Sequence, residues 1–454
     1  MSESIRQFIS KHDIKKIKVG VFDIDGVLRG KYISMDKFLS AVDNGFGFCD
    51  VIFGWDSADE LYVDTGVTVT GWHTGYPDTP AKIDPDSARV VPWEPGTALF
   101  LADLYTRDGA PLEVSPRQLM RQVVAQANEM GFDPKMSSEY EYFFFKEDPH
   151  SIREKSYTDL TPLTPGMFGY SVVRASSVSD LVHAVIDNMK AFGILIEGIH
   201  TETGPGVYET AITYDTAINA ADNAALFKTA MKEISSRHDV IVTFMAKWNP
   251  EFPGCSGHIH QSLWSPDGKK NLFYDEHHAS SMSTTMRHYI GGQIALMPEL
   301  AALSAPTINS YKRLVPGAWA PTTASWGIEN RTTAIRAIPF GENSTRVENR
   351  LPGSDANPYL AMAASLAAGL YGIAQEIEPP EPWTANAYSA PDGIFEALPH
   401  SLDEAFSLLK ESKVARDILG TAFVDHFVAT REWEVRQHAR AVTDWELKRY
   451  FEVV

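Results

Sequence analysis

The stretch Ser138-Glu139-Tyr140-Glu141-Tyr142-Phe143-Phe144-Phe145 decides how the chain is organised. Its density of aromatic residues predicts a β-strand, and the side chains of a strand alternate between two faces. Glu139 and Glu141 are therefore expected to lie side by side on a face that continues with Phe143 and Phe145. Two adjacent carboxylates at the border of a core repel each other unless a cation binds them, whereas a solvated edge strand would leave both in water.

Two later segments, residues 257–263 and 345–351, repeat this period-two pattern with polar side chains. The polar positions are His258, His260 and Ser262 in the first segment and Arg346, Glu348 and Arg350 in the second. A hydrogen-bonded histidine pair or a solvated, salt-bridged strand would explain either segment alone. Glu202 and Glu209 add two carboxylates, and the Thr-Gly-Pro-Gly turn between them allows both to point to one place. This oxygen-rich set of side chains suits Mg²⁺ or Mn²⁺ better than zinc.

The composition argues against several classes of partner. The chain has 454 residues, with 40 Lys and Arg against 59 Asp and Glu, which gives a formal net charge of -19. This balance argues against binding to nucleic acid or to an anionic membrane surface. The two cysteines, Cys49 and Cys255, cannot form a disulfide framework, and residues 1–18 lack the apolar segment of a signal peptide. We therefore expect a cytoplasmic protein.

Local patterns predict a two-domain organisation. Residues 16–34 read as a hairpin around Asp25-Gly26, and residues 36–105 read as short strands and loops without a long helix. We expect a small, mostly β domain over residues 1–105 and a larger domain of alternating strands and helices over residues 106–454. Within the larger domain the patterns predict helices at 115–130, 179–192 and 215–237, a strand at 240–248, an exposed connection at 378–399 and a helical C-terminal part.

The longest apolar run, residues 358–374, is interpreted as a buried helix. Asn357 before it is a favourable N-cap residue, and Pro358 is favoured at the first helical position. The run is rich in Ala and Gly and contains Ser365, so a membrane span is the less favoured alternative.

A different chemistry is suggested by the segment from Val21 to Leu28. It matches the Asp-x-Asp-Gly opening of haloacid dehalogenase-like phosphatases, in which Asp23 would be the nucleophile and Asp25 the general acid. That family also needs a later acidic motif for magnesium, and the sequence contains neither Asp-Asp nor Gly-Asp. A hairpin turn is the favoured explanation of these residues.

Arginines near the acidic positions indicate phosphoryl transfer, in which metal ions and guanidinium groups neutralise developing charge. They are Arg313, Arg331, Arg336, Arg346 and Arg350. Because the chain has no Walker A motif, a nucleotide would have to be held by metals and side chains.

Over nearly its whole length the sequence resembles the glutamine synthetase family. The matching stretches are Ser138–Glu141, Glu197 with Glu202–Glu209, Gly254–Leu263, Asn309–Arg313, Glu329–Arg336 and Arg346–Pro352. The resemblance implies an α+β fold with a β-grasp N-terminal domain and a large catalytic domain. It also implies a homo-oligomer of two stacked hexameric rings of subunits. In such an assembly each site is completed by the N-terminal domain of a neighbouring subunit.

The resemblance further implies a two-step reaction and a role for each matching residue. ATP would phosphorylate the γ-carboxylate of L-glutamate, and an amine would then attack the acyl phosphate. The two implied metal sites are Glu141, Glu202 and Glu209, and Glu139, His258 and Glu348. The implied nucleotide contacts are Glu197, His260, Ser262 and Arg336. The implied glutamate contacts are Gly254, Arg313 and Arg350, with Arg331 contacting the γ-phosphate and the transition state.

Two departures from the family pattern bear on the amine. The family flap reads Pro-Gly-Tyr-Glu-Ala-Pro, and its Glu deprotonates ammonium, but residues 316–321 here place Trp319 at that position. The Asp-Gly-Ser-Ser signature of the ammonium site is also missing, and only Trp55-Asp56-Ser57 stands near it. We therefore expect an organic amine as the substrate. The alternatives are a glutamine synthetase in which Glu329 or Asp56 serves ammonia, and an inactive relative, which would be expected to lack metal ligands.

Overall fold

The structure is a computed structural model that describes residues 3–454. Its first part is a six-stranded sheet in the order β2-β1-β6-β4-β3, with β5 paired to β6. The strands are β1 (Lys16–Phe22), β2 (Leu28–Ile33), β3 (Phe46–Cys49), β4 (Asp78–Ile83), β5 (Arg89–Val90) and β6 (Thr97–Leu104). The first helices are α1 (Glu3–Lys11) and α2 (Met35–Asn44).

The hairpin predicted at residues 16–34 is confirmed, because β1 and β2 pair antiparallel in continuous register. Residues 36–105, expected to form short strands and loops without a long helix, also contain the ten-residue helix α2 at their start. The Ser34 hydroxyl caps α2 by accepting a hydrogen bond from the Lys37 amide, and the helix buries Phe38 and Ala41 against the sheet. With only a few buried positions, its apolar pattern is too short to stand out in the sequence.

The second part is built on a nine-stranded sheet in the order β13-β14-β15-β12-β7-β9-β8, with β10 and β11 also paired to β7. Its strands are β7 (Asp133–Phe145), β8 (Ile196–Thr201), β9 (Val207–Ile212), β10 (Asp215–Thr216), β11 (Ile241–Thr243), β12 (Gly257–Trp264), β13 (Trp326–Ile328), β14 (Ile335–Ile338) and β15 (Arg346–Asn349). The strand predicted at 240–248 is therefore present only as the shorter β11.

Strand β7 lies in the middle of this sheet, between β12 and β9, so the solvated edge strand is excluded. One of its faces sends Tyr140, Tyr142 and Phe144 into the main core, where Tyr140 stacks on Phe227. The other face carries Phe143 and Phe145, which pack in a separate apolar cluster with Val207 and Cys255. The predicted alternation is thus confirmed, and Glu139 and Glu141 belong to the second face.

Helices cover the main core. They are α3 (Pro116–Glu129), α4 (Pro149–Glu154), α5 (Val172–Ser176), α6 (Ser179–Ala191), α7 (Ala217–Ser236), α8 (Thr284–Ser304), α9 (Pro358–Ala374), α10 (Leu402–Glu411), α11 (Lys413–Leu419), α12 (Thr421–His438) and α13 (Asp444–Tyr450). The three helices predicted in the larger part are confirmed, and each predicted end lies within two residues of the observed end.

Helix α9 is buried along almost its whole length, as predicted. The Asn357 side chain caps it by accepting from the Tyr359 amide and also donates to the carbonyls of Asp23 and Ile24 in the first hairpin. Among residues 3–454, none of the helices combines the length and the apolar composition needed to span a bilayer.

A buried ion-pair network joins the two parts of the molecule. Arg117 at the start of α3 lies 2.6 Å from Asp84, 2.8 Å from Asp103 and 2.8 Å from Asp222. Asp103 lies on β6 of the first sheet, Asp84 directly follows β4, and Asp222 lies on α7. Removing one member would leave uncompensated buried charge, so the network fixes how the first sheet packs on the second part. A domain boundary near residue 106 remains a prediction.

Candidate active site

The register of the second sheet collects the predicted acidic and basic side chains on one face. On paired strands, His258 lies opposite Glu139, and Glu348 lies opposite both His260 and Arg336. On the other side of β7, Glu209 is paired with both Glu141 and His200. Cross-strand neighbours have Cβ atoms about 5 Å apart, so these side chains form one continuous polar surface.

The first cluster contains Glu139, His258 and Glu348. The Nδ1 atom of His258 lies 3.3 Å from Glu139 Oε1 and 3.4 Å from Glu348 Oε1. His258 Nε2 is buried and has no hydrogen-bond partner within residues 3–454. Ligand atoms of Glu139, Glu348 and His260 also lie within 4.8 Å of one another. This donor set, with an unused buried imidazole nitrogen, fits a divalent cation.

Electrostatics keep this cluster ionised. Although burial opposes ionisation, the hydrogen bond from His258 and the nearby charge of His260 lower the pKa of Glu139 to about 2. Glu348 is buried as well, but Arg350 and the two histidines lower the pKa of its carboxyl group strongly. Arg336 also donates a hydrogen bond of 2.9 Å to Glu348. Two permanently charged carboxylates are therefore held against the sheet at neutral pH.

The second cluster contains His200, Glu202 and Glu209. Their ligand atoms lie within 4.8 Å of one another, and His200 Nε2 lies 3.0 Å from Glu209 Oε1. Burial and the charges of Glu209 and Glu141 raise the pKa of Glu202, and burial together with Glu139 and Glu141 raises that of Glu209. Carboxylates that repel one another in this way are stabilised by a bound cation, so these residues also fit a divalent metal ion.

The two predicted metal sets differ in detail from these clusters. Glu139, His258 and Glu348 come together as predicted, and so do Glu202 and Glu209. Glu141 lies beside the second cluster, opposite Glu209, but one of its oxygens accepts a hydrogen bond from the Ser256 amide. The sequence analysis missed His200, which stacks on the exposed Tyr170 ring with 4.3 Å between centroids. The alternation His200-Thr-Glu202 on one strand was the signal that could have identified it.

A cavity of about 270 Å³ opens beside the first cluster, and Glu139 is one of its lining residues. Three of the predicted nucleotide contacts, Glu197, His260 and Ser262, line it as well. Arg336 is not among its lining residues in the described part of the chain, because its guanidinium group pairs with Glu348 and Glu329.

Lys135 and Trp264, which the sequence analysis did not assign, also line this cavity, together with Arg346. Trp264 donates a hydrogen bond of 2.9 Å from its indole nitrogen to Ser262 Oγ. The Lys135 ammonium lies 4.5 Å from the centre of the Trp264 ring, within the range of a cation–π contact. Arg346 donates to His260 Nδ1 at 3.2 Å. The cavity lining therefore combines the carboxylates of Glu139 and Glu197 with two cations and an aromatic ring.

The residues predicted to contact glutamate are mostly buried and tightly packed. Arg313 and Arg350 are buried, and Arg313 donates to the carbonyls of Leu351 and Arg350 and to the Ser256 hydroxyl. Gly254 packs so closely that a Cβ atom there would lie 2.6 Å from the Ala246 carbonyl oxygen and 2.8 Å from Arg313 Cγ. Arg331 is exposed on the loop between β13 and β14.

The flap, residues 316–321, follows Arg313 and presents Trp319 to solvent. Trp319 has a left-handed φ of 58° and a side chain that is 63% exposed. Its carbonyl oxygen lies 3.5 Å from Arg350 Nη2, a donor of the buried arginine pair. The backbone of Trp319 is thus held next to the buried arginine pair, while its indole is exposed to solvent.

Both carboxylates that an ammonia site was expected to use have other partners. Glu329 forms an ion pair of 2.8 Å with Arg336. Asp56 is buried and accepts hydrogen bonds from the Trp433 indole at 2.8 Å and from the amides of Ala58 and Glu60.

Comparison with known proteins identifies the family with which this fold and site agree. Residues 113–450 match the family described as "Glutamine synthetase, catalytic domain". This chain belongs to the glutamine synthetase family. The type-1 glutamine synthetase 2 of Dictyostelium discoideum is 47% identical over 440 residues, covering 96% of this chain and 84% of that protein. The glutamate–isopropylamine ligase of a Pseudomonas species is 39% identical over 451 residues, covering 99% and 98%.

A solved structure of GmaS in complex with ADP is similar to this chain as well. It has a TM-score of 0.85 and 28% sequence identity and covers 98% of both chains. The glutamine synthetase match spans both acidic clusters, the cavity and the flap, so the predicted family and its mixed α and β fold are confirmed.

Proposed function

We propose that this protein is an ATP-dependent ligase that joins the γ-carboxylate of L-glutamate to an organic amine. The observation that carries the proposal is the pairing of two intact acidic clusters with a flap whose exposed residue is Trp319. The clusters suit phosphoryl transfer, whereas the indole does not suit ammonium. The relatives that act on organic amines, by name a glutamate–isopropylamine ligase and a gamma-glutamylethanolamide synthetase, support the same reading.

Divalent metal ions, Mg²⁺ or Mn²⁺, are proposed to bind at both clusters. Glu139, His258 and Glu348 would hold one ion, and Glu141, Glu202 and Glu209 the other, with His200 as a close neighbour. Such ions neutralise charge on the phosphates and on the transferred phosphoryl group. The raised pKa values of Glu202 and Glu209 and the unused His258 nitrogen support these assignments.

ATP is proposed to occupy the cavity that begins at Glu139. Its phosphates would lie beside the first cluster, and Glu197, His260 and Ser262 would contact the rest of the nucleotide. Arg336 is proposed as an orienting partner of Glu348, because its own donors point to Glu348 and Glu329.

The remaining arginines are proposed to serve glutamate and the reacting carboxylate. Arg313 and Arg350 would bind the substrate carboxylates close to Gly254, whose lack of a side chain lets Arg313 pack directly against its backbone. Arg331 would contact the γ-phosphate as it moves to the glutamate oxygen. Phosphorylation turns that oxygen into a phosphate leaving group, so the amine nitrogen can attack the acyl carbon and phosphate departs.

Trp319 is proposed to select the amine. Ammonium is a small cation, and a site for it needs carboxylates that accept its proton. An exposed indole offers an apolar surface and a π-face instead, which suits the alkyl or aryl part of a larger amine and its ammonium form.

Glutamine synthetase using ammonia is the second candidate. The sequence identity of 47% with the type-1 glutamine synthetase 2 of Dictyostelium discoideum favours it. Two contacts argue against it: Glu329 is ion-paired through one oxygen with Arg336, and both oxygens of Asp56 already accept hydrogen bonds.

We also propose a cytoplasmic homo-oligomer of two stacked hexameric rings. Several large apolar side chains are exposed in two segments of the chain. Exposed apolar surface of this kind is typical of contacts between subunits. The side chains are Met167, Phe168, Tyr170, Val172 and Val173 in the first segment, and Val442, Trp445, Leu447, Phe451 and Val453 in the second. Light scattering that finds a fully active monomer would overturn this part of the proposal.

The function is tested by measuring phosphate release from ATP and L-glutamate with a panel of amines. The panel contains ammonium, methylamine, ethanolamine, isopropylamine and a diamine, and products are identified by mass spectrometry. We expect at least one organic amine to give a kcat/KM clearly above that of ammonium. Ammonium performing at least as well as every organic amine would reject the proposal in favour of glutamine synthetase.

A further inference from the structure

The segment from Trp383 to Leu398, called the strap here, runs along the flap and the loop that carries Arg331. The sequence predicted an exposed connection in this region. Its backbone is nevertheless tied to the catalytic part by three hydrogen bonds: Trp383 N to Trp326 O at 2.9 Å, Ala324 N to Glu396 O at 2.8 Å and Leu398 N to Thr322 O at 3.0 Å. The strap therefore has a fixed position relative to the sheet.

The middle of the strap is held just as firmly. The Ala387 amide donates to Thr332 Oγ1 at 2.9 Å, and the Asn386 side chain accepts from the Tyr388 amide at 3.0 Å. Asn330 donates from its side chain to the carbonyls of Trp383 and Ala385. These contacts place Tyr388 on a rigid turn next to the loop that carries Arg331.

The Tyr388 side chain reaches from this turn to the flap. Its hydroxyl group donates a hydrogen bond of 3.0 Å to the carbonyl oxygen of Ala320. The ring is half-buried, and burial raises the pKa of its phenol, while the guanidinium charges of Arg350 and Arg313 oppose that rise. The phenol is thus within the electrostatic influence of both arginines proposed to bind glutamate.

Two consecutive flap carbonyls are therefore held from two sides. Arg350 approaches the Trp319 carbonyl, and Tyr388 donates to the Ala320 carbonyl. A left-handed backbone is unfavourable for a large side chain such as that of Trp319, so it persists only where surrounding contacts impose it. Tyr388 supplies one of these contacts from a segment remote in sequence.

We propose that Tyr388 is a positioning residue that holds the flap so that Trp319 stands over the acyl phosphate when the amine arrives. This inference rests on the proposed function, because it assumes a γ-glutamyl phosphate that an amine attacks. Tyr388 takes no part in phosphoryl transfer, since its only described hydrogen bonds are to the flap and within the strap. Its loss affects the second step of the reaction.

A loosened flap has two measurable consequences. The amine loses its apolar partner, so the KM for the amine rises. Water also gains access to the acyl phosphate; when its oxygen attacks the acyl carbon, the carbon–oxygen bond to phosphate breaks, and glutamate and inorganic phosphate are released. Phosphate is then produced without γ-glutamyl amide, and the ratio of phosphate to amide exceeds one.

The test compares Tyr388→Phe with the wild-type enzyme. We expect the KM for the best amine to rise roughly five- to tenfold, with the KM values for glutamate and ATP within about twofold of wild type. The ratio of phosphate to amide should rise above one at low amine concentration. The matched control is Tyr32→Phe, which removes a hydroxyl that donates to Glu94 at 2.6 Å in the first sheet and should change none of these values.

A double variant shows whether Tyr388 acts through Trp319. If it does, adding Tyr388→Phe to Trp319→Ala produces no further rise in the KM for the amine. A purely structural role would instead lower the melting temperature and the active fraction while leaving every KM unchanged. Unchanged amine KM and unchanged coupling in Tyr388→Phe would overturn the inference, as would additive effects in the double variant. A wild-type enzyme that shows no amine-dependent phosphate release would instead refute the proposed function.

Discussion

The acidic face of the second sheet and the flap differ in how the fold holds their functional side chains. On the sheet, most of the metal-cluster side chains come from strands whose neighbours fix them, as His258 and Glu139 do across β12 and β7. The flap has no regular structure, and Trp319 depends on single contacts from Arg350 and Tyr388. The sheet face is charged and buried or half-buried, whereas the flap residue is apolar and 63% exposed.

This difference suggests a division of labour within the site. Phosphoryl transfer needs charges held at fixed distances, and a sheet provides them because its repeat and register are rigid. Selection among amines needs only a surface of the right shape and polarity, which a loop can change without disturbing the sheet. Changes on the sheet should therefore stop all chemistry, and changes on the flap should redirect it.

The largest expected effect is the loss of a sheet carboxylate. Glu348→Ala and Glu141→Ala should each reduce turnover roughly a thousandfold or more, because each removes a proposed ligand from a different metal site. Steady-state phosphate release measures this effect. Glu342→Ala is the matched control, since Glu342 is an exposed glutamate on the loop before β15 and should remain near wild type. Near-normal turnover in either cluster variant would refute the two-metal assignment.

Metal removal should be nearly as damaging and should also change stability. Burial and mutual repulsion raise the pKa values of Glu202 and Glu209, so their ionisation destabilises the metal-free fold as the pH rises through the carboxylate range. Chelation with EDTA should abolish turnover and lower the melting temperature at pH 8, and Mg²⁺ or Mn²⁺ should restore both. In Glu202→Gln the metal-induced rise in melting temperature should be smaller, and an equal rise would contradict a metal site at this cluster.

On the flap, removing the indole should change only amine binding. Trp319→Ala should raise the KM for the best organic amine about tenfold, which corresponds to about 1.4 kcal/mol of lost contact. The KM for glutamate and the melting temperature should hardly change, because the indole is mostly exposed. Trp72→Ala, which removes another largely exposed indole far along the chain, is the control. Equal loss of affinity for all three substrates would place Trp319 among the residues that support the whole site.

The smallest expected effect comes from a titratable group outside both regions. His426 is buried in α12 with neither ring nitrogen hydrogen-bonded within residues 3–454, and this burial lowers its pKa to about 3. Below about pH 6.5 the unfolded chain binds a proton at this residue that the folded chain does not, so stability falls as the pH decreases towards 3. The slope is about 1.4 kcal/mol per pH unit.

The check is a pair of urea titrations on wild type and His426→Met at pH 7 and pH 5. The free energy of unfolding of the wild type relative to the variant should fall by about 2 kcal/mol between these values. A difference that does not change with pH would mean that His426 is charged in the folded protein or hydrated within it.

The sequence predicted the strands of the site well because alternation is a local property. The pattern of residues 138–145 placed Glu139 and Glu141 on one face with Phe143 and Phe145, and the structure has the same arrangement. The caps of α9 and the hairpin around Gly26 were also readable from adjacent residues. In each case a few neighbours along the chain determine the outcome.

Pairings between distant segments were not predictable in this way. Whether Arg336 faces the cavity or Glu348 depends on the register of β14 against β15, which no local pattern contains. His200 joined the second cluster through pairing with Glu209 across β8 and β9. Tyr388 reaches Ala320 across 68 positions of sequence, in a segment whose composition indicated only an exposed connection.

A competition between two amines tests the division of labour most directly. Wild type and Trp319→Glu receive ATP, L-glutamate and an equimolar mixture of ¹⁵N-ammonium and the best organic amine, and mass spectrometry quantifies both products. We predict that the wild type forms mainly the organic γ-glutamyl amide, and that the variant shifts the product ratio towards ¹⁵N-glutamine by at least about tenfold while total phosphate release stays within a few fold. An unchanged product ratio, or a ratio that already favours glutamine in the wild type, would contradict the account.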